Sequence, residues 1–179
     1  MVKQNIEKAF GLFKRSAAMG NVKAMHSIAR LYMNGFLGKE NIDKSIGWYE
    51  KAAKVGYDVA LNDLGILYQN GIVVKKDYKK AVEYYQKSMD LGSPYGMSNM
   101  AFMYYRGFGL KKDLPKSFKL YEKAASYGET TAMLSLSNFY RLGLVVKQDS
   151  EKSLFWLKKS AELGNQYAKK ILDDMTEKN

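Results

Sequence analysis

The chain has 179 residues, 46% of them hydrophobic, enough to form a sizeable folded body. Twenty-nine Lys and Arg against 18 Asp and Glu leave a formal charge of +11, which admits nucleic acid, anionic lipid or an acidic protein face without choosing among them. The lack of cysteine excludes disulfides and thiolate chemistry, and no apolar run reaches secretory-signal or membrane-span length, so we expect a cytoplasmic protein, or a periplasmic or secreted one if a leader was removed.

Taken in order, the chain returns to the same pattern every 36 residues. Gly20, Gly56, Gly92, Gly128 and Gly164 form one column, Gly35, Gly71, Gly107 and Gly143 a second, and Tyr32, Tyr68, Tyr104 and Tyr140 a third. Such self-similarity marks stacked units that bury their apolar faces on one another. Residues 1–20 match the second half of a unit, which leaves Phe10, Leu12 and Phe13 without a preceding helix to cover them. That helix reads as a cap, with an apolar edge for self-association as the alternative. Full repeats follow at 21–56, 57–92, 93–128 and 129–164; residues 165–179 carry a lone first half, made polar by Asp173, Asp174, Glu177 and Lys178 as a terminal cap would be. The whole reads as a single repeat domain.

Inside each unit the apolar spacing predicts two helices, A and B. In the repeat at Tyr57, helix A holds Val59, Ala60, Leu64 and Leu67 and ends at Gly71, where a left-handed residue closes a helix. Helix B starts at the capping Asp77, with Asn41, Asp113 and Asp149 in the same column, and Pro115 suits a first turn. Ser93 and Pro94 restart helix A with a cap and a preset φ. Small residues recur as Ala29, Gly65, Ala101 and Ser137, and as Ala52, Ser88, Ala124 and Ser160, with Tyr49, Tyr85, Tyr121 and Leu157 filling the gaps. The architecture expected is an all-α, right-handed α/α solenoid.

On these columns, above all ALNDLGILYQNG from Ala60 and DYKKAVEYYQKSMDLG from Asp77, the chain resembles the Sel-1-like repeat family, a relative of the tetratricopeptide repeat. The resemblance implies a superhelix whose A helices line a concave face, and a role as adaptor or scaffold. Some secreted cysteine-rich members have been described as penicillin-binding or β-lactamase-like; this chain has no cysteine and no Ser-x-x-Lys device, and its single histidine, His26, offers no positioned base. One His without Cys cannot build a zinc site, and the glycines end helices instead of clustering in a phosphate loop, so no cofactor is expected. His26 reads as a surface contact or bystander.

Lys8, Lys44, Lys80, Lys116 and Lys152 share one column, Lys51, Lys87, Lys123 and Lys159 another, and Lys39, Lys75, Lys111 and Lys147 a loop position. Charges locked to the repeat read as solvated surface, with a basic nucleic-acid binder as the rival. A recognition surface, by contrast, has no reason to repeat. If tetratricopeptide geometry carries over, the non-repeating groove positions include His26, Arg30, Asn62, Asp63, Ile66, Gln69, Asn70, Asn99, Phe102, Tyr105, Arg106, Ser135, Asn138, Arg141 and Leu142. Arg30, Asn62, Ile66, Asn70, Asn99, Phe102, Tyr105, Arg106, Asn138 and Arg141 are the candidate protein-binding residues, with Phe102, Tyr105, Arg106 and Arg141 as the hot spot. The expectation is a non-catalytic adaptor for an acidic or carboxylate-bearing peptide or protein. Alternatives are a bacterial immunity protein that neutralises a toxin, and a hydrolase like the cysteine-rich relatives.

Overall fold

The computed structural model describes residues 2–37, 42–71 and 74–176, with side chains from Asn5 onward; Lys39, Asn41, Glu177 and Lys178 lie outside the described residues. Described residues form only helices and their connections: α1 (Val2–Ala18), α2 (Val22–Met33), α3 (Ile42–Lys54), α4 (Asp58–Asn70), α5 (Tyr78–Asp90), α6 (Pro94–Arg106), α7 (Leu114–Ser126), α8 (Thr130–Leu142), α9 (Ser150–Glu162) and α10 (Gln166–Thr176). Even-numbered helices are the A type and odd-numbered ones the B type. Contacts divide the chain into two compact units, residues 1–91 and 92–179, the division falling one residue before the end of a repeat in sequence.

The helix ends follow local chemistry. Gly71, Gly107 and Gly143 cap α4, α6 and α8 in the left-handed region at φ 68°, 70° and 65°. α2 departs slightly, capped by Asn34 one residue ahead of Gly35. Asp77 accepts the free N–H groups of Lys79 and Lys80, and Asp113 and Asp149 accept those of Lys116 and Lys152. The same aspartates tie the loop shut through the backbone. Asp77 N–H donates to Tyr68 O at 2.9 Å, and Asp113 and Asp149 donate to Tyr104 O and Tyr140 O at 3.0 Å.

Ser93 breaks the expected pattern. It stands at the N-cap of α6 with Pro94 behind it, yet its buried hydroxyl makes no capping bond. One repeat later Glu129, 7% exposed, does the capping: its two oxygens accept from Thr131 N and Ala132 N at 2.9 and 2.6 Å.

In residues 1–91 the core gathers Ala29, Tyr49, Ala52, Ala60, Leu64 and Leu67. Each fully buried aliphatic side chain is worth about 1.5–3 kcal/mol. The expectation that α1 leaves its aromatic residues bare is corrected. Phe10 and Phe13 pack on the Ala17, Ala24 and Ile28 cluster, Phe10 edge-on to Tyr32 at 5.6 Å, and only Leu12 stays outside at 65% exposure. Following the chain back by half a unit did not anticipate that a cluster of α1 and α2 residues, with Trp48 of α3 packed on it, would shelter them.

In residues 92–176 the core is Met97, Met100, Met103, Phe118, Tyr121, Leu136 and Phe139 with small residues between. Serines on the B helices reach across to A-helix backbone: Ser117 Oγ donates to Ala101 O at 2.7 Å and Ser160 Oγ to Thr130 O at 2.8 Å. Ser45 and Ser88 do the same to Ala29 O and Asp58 O in the first unit. These bonds offset the desolvation of the serine hydroxyls and so let them occupy buried positions.

The repeating lysines also have a structural cause. Lys44, Lys80, Lys116 and Lys152 lie 5.9, 4.9, 4.4 and 5.5 Å from the ring centres of Tyr32, Tyr68, Tyr104 and Tyr140. One recurring step thus carries an ammonium over an aromatic face, each contact worth about 0.5–1 kcal/mol at exposed sites.

Candidate functional site

The A helices of residues 92–176 bring together much of what the non-repeating columns single out. Between α6 and α8 lies a concavity of about 330 Å³, lined by Phe102, Tyr105, Asn138, Arg141 and Leu142, with Tyr121, Ser135 and Phe139 among its other lining residues. Phe139 anchors the aromatic wall, its ring centre 5.8 Å from Tyr105, 6.0 Å from Tyr121 and 5.5 Å from Phe118. Phe102 and Tyr105 are half-buried, whereas Asn138 and Arg141 are exposed. Burial pushes the Tyr121 phenol up to about 12, partly offset by a hydrogen bond with Ser135.

A second concavity of about 320 Å³ adjoins the first across α8. Leu134, Leu154, Leu157, Ile171 and Met175 give it an aliphatic lining, Tyr167 flanks it, and Asn138 and Arg141 belong to both. Tyr167 and Met175 are 67% and 48% exposed, so the polar outer face expected of the terminal helix is interrupted on this side.

Arg141 is held in place from its own helix. Its Nε and Nη2 donate to Asn138 Oδ1 at 3.4 and 3.2 Å, and its carbonyl accepts from Gln148 Nε2 at 3.0 Å. Among the described residues it forms no ion pair. Arg106 goes elsewhere: it is exposed, does not line either concavity, and sets its guanidinium 5.1 Å from the Phe108 ring centre. Asn99 is half-buried on α6. Close by, Val145 holds φ 66°, which a β-branched residue rarely adopts, next to Leu144, which lines the first concavity.

In residues 1–91 the corresponding positions are largely spent on internal bonds. His26 is corrected from bystander to part of the packing: Nε2 donates to Asp63 Oδ2 at 2.8 Å, the side chain is 13% exposed, and the ring stands edge-on to Tyr49 and Tyr57 at 5.4 and 5.5 Å. Burial raises the Tyr49 phenol pKa, and the Asp63 charge and hydrogen bond add to it. Gln69 accepts from the Tyr85 hydroxyl at 2.9 Å. Asn62 and Ile66 are half-buried and Asn70 exposed. Arg30 belongs to a separate hollow of about 230 Å³ with Phe13, Ser27, Leu31 and Asn34.

Column comparison alone misses the polar partner of the buried tyrosines. Tyr49 meets Asp63 and Tyr121 meets Ser135, each fourteen positions on, and where the column carries Leu157 the corresponding residue is Ile171. The signal was present as a paired switch from polar to apolar. Among the described residues there is no cluster of three or more His, Cys, Asp or Glu able to hold a metal, and no helix long and apolar enough to cross a membrane.

Five Sel1 repeats match the chain, over residues 1–21, 22–57, 58–93, 94–128 and 130–165. A Sel1 repeat protein from Oxalobacter formigenes is 32% identical with a TM-score of 0.83, the match covering 91% of this chain and 66% of that one. The protective antigen c5321 of uropathogenic Escherichia coli, with an SLR fold, is 31% identical at a TM-score of 0.79, over 89% of this chain and 34% of its own. The chain therefore spans less than two thirds of either relative. The immunity protein Pa5087 of Pseudomonas aeruginosa shares the fold at 22% identity and a TM-score of 0.66, over 89% of this chain and 59% of that one. No curated protein matches the chain. Sel1 repeats are typically a non-catalytic scaffold, and proteins built from them generally mediate protein–protein interaction. With five repeats matched in sequence and the helical solenoid of its relatives matched in structure, this chain belongs to the Sel1 repeat family.

Proposed function

We propose that the chain is an adaptor that binds a peptide or protein segment along the A-helix face of residues 92–176 and catalyses no reaction on it. The observation that carries this reading is the pair of adjoining concavities sharing Asn138 and Arg141. Aromatic and aliphatic walls beside an oriented arginine are the composition of an interface hot spot. Arg141 lacks an ionic partner among the described residues, and neither concavity is lined by Asp or Glu, which favours an acidic segment. The hot spot is thereby narrowed to Phe102, Tyr105, Asn138 and Arg141, with Arg106 outside it.

An immunity protein would be one form of the same activity, its partner being a toxin; the fold likeness to Pa5087 is compatible with it. The test is capture of partners from lysate by the wild-type chain and by a Tyr105→Ala, Arg141→Ala variant, with circular dichroism showing both folded. A protein retained only by wild type, through moderate salt, supports the reading. Equal capture by both moves the working surface away from these helices. Retention of nucleic acid alone, with a steep salt dependence, replaces the adaptor with a phosphate binder.

A further inference from the structure

We infer that the segment taken by this face is extended and carries an acidic side chain between two apolar ones three residues apart. The inference rests on the groove reading above and specifies its ligand. Arg141 is the common wall of both concavities. Asn138 Oδ1 occupies one edge of its guanidinium, taking Nε–H and one Nη2–H at 3.4 and 3.2 Å. The opposite edge keeps a parallel pair of N–H groups, on Nη1 and Nη2. A guanidinium offering one such edge matches a carboxylate, and being already held on the other it loses little rotamer freedom on pairing.

The two concavities differ in kind. The first has rings, Phe102, Tyr105 and Phe139, over the hydroxyl-bearing floor of Tyr121 and Ser135, and suits a planar or large side chain. The second is aliphatic, with Leu134, Leu154, Leu157 and Ile171, and suits a leucine-like one. The two concavities flank one helix, α8, and a helix with its side chains is about 10–12 Å across. A polyproline-type extended chain advances about 3.1 Å per residue with three residues per turn, so positions i and i+3 point the same way about 9 Å apart. Apolar anchors at i and i+3 then place an intervening carboxylate at the α8 wall, where Arg141 stands.

The test is a positional-scanning library of nine-residue peptides on the full chain, followed by fluorescence anisotropy of the best binder and of its amide counterpart, with Gln or Asn replacing the acid. The expected result is selection of Asp or Glu between two apolar residues three apart, in either chain direction. The amide peptide should bind about 10- to 100-fold more weakly, as loss of a charged hydrogen-bonded pair gives. Arg141→Gln should erase that difference while leaving the apolar preferences, and Leu154→Ser should weaken selection at one apolar position alone. Selected peptides without an acid, or an acid preference that survives Arg141→Gln, overturn the inference while the groove reading stands. Failure of every peptide to bind better to wild type than to a Tyr105→Arg, Leu154→Arg variant sinks both.

Discussion

Gly65 offers a test of the packing that supports the whole array. It lies in α4 against the Tyr85 ring of α5, and a β-carbon there would stand 2.5 Å from ring Cδ1 and 2.9 Å from Cζ. Tyr85 is fully buried and its hydroxyl is tied to Gln69, so the ring has no ready place to go. Overpacking of this kind costs about 1–3 kcal/mol, and contact with several ring atoms puts Gly65→Ala toward the upper end. Alanine returns about 1 kcal/mol of helix propensity, leaving a net loss of about 1–2 kcal/mol. For a chain of this size that lowers Tm by about 2–8 °C. Ala29 and Ala101 carry a β-carbon in repeats that have Tyr49 and Tyr121, so the clash belongs to the placement of the Tyr85 ring in this repeat, and trimming that ring is the rescue. In a Tyr85→Leu background, Gly65→Ala should therefore raise Tm. Thermal melts of the four proteins of this cycle, followed by circular dichroism, measure it. An equal rise in Tm in both backgrounds would refute the close-approach argument.

Val145→Gly should raise stability by about 1 kcal/mol, because glycine relieves a left-handed φ of 66° at the expense of some unfolded-state entropy; a lower Tm would show that this backbone is not strained. The backbone N–H of Lys152 is the main group holding the Asp149 carboxyl below its ordinary 3.8. With the folded pKa depressed, the cap contributes fully above pH about 4 and is lost as pH falls through the folded value. The Tm gap between wild type and Asp149→Ala should therefore close only below that pH; a gap constant to pH 2 contradicts the capping account. Tyr121 has the opposite sign: its phenol is raised to about 12, so the stability it contributes is complete below pH 10 and lost between pH 10 and about 12. Tyr121→Phe should lose less stability over that interval than wild type, and equal losses would contradict burial of the phenol.

The repeat was legible because local chemistry sets it. Left-handed glycines, aspartate caps and the small-residue columns depend on a few neighbouring residues, and they stand where their spacing puts them. What depended on tertiary surroundings was not legible. Ser93 has a good capping side chain, but its hydroxyl is buried without taking any of the free N–H groups. Phe10 and Phe13 looked bare because coverage was counted by repeat order, while the cluster of Ala17, Ala24 and Ile28, joined by Trp48, shelters them. His26 looked isolated because its partner, Asp63, lies 37 residues away on the next A helix. The candidate site shows the same division. The non-repeating columns singled out Phe102, Tyr105, Asn138 and Arg141, which line one concavity, but nothing in their spacing told that Arg106 would turn to Phe108 or that Arg141 would be held by Asn138.

The central claim, a protein segment held on the A helices of residues 92–176, is tested most directly by photo-crosslinking in the source cell. A benzophenone side chain is placed at Phe102, in the first concavity, and in a second protein at Lys119, exposed on the B helix α7. The account predicts a discrete protein adduct from position 102, abolished by Arg141→Ala, and none from position 119. An adduct from position 119 with none from 102 would contradict it.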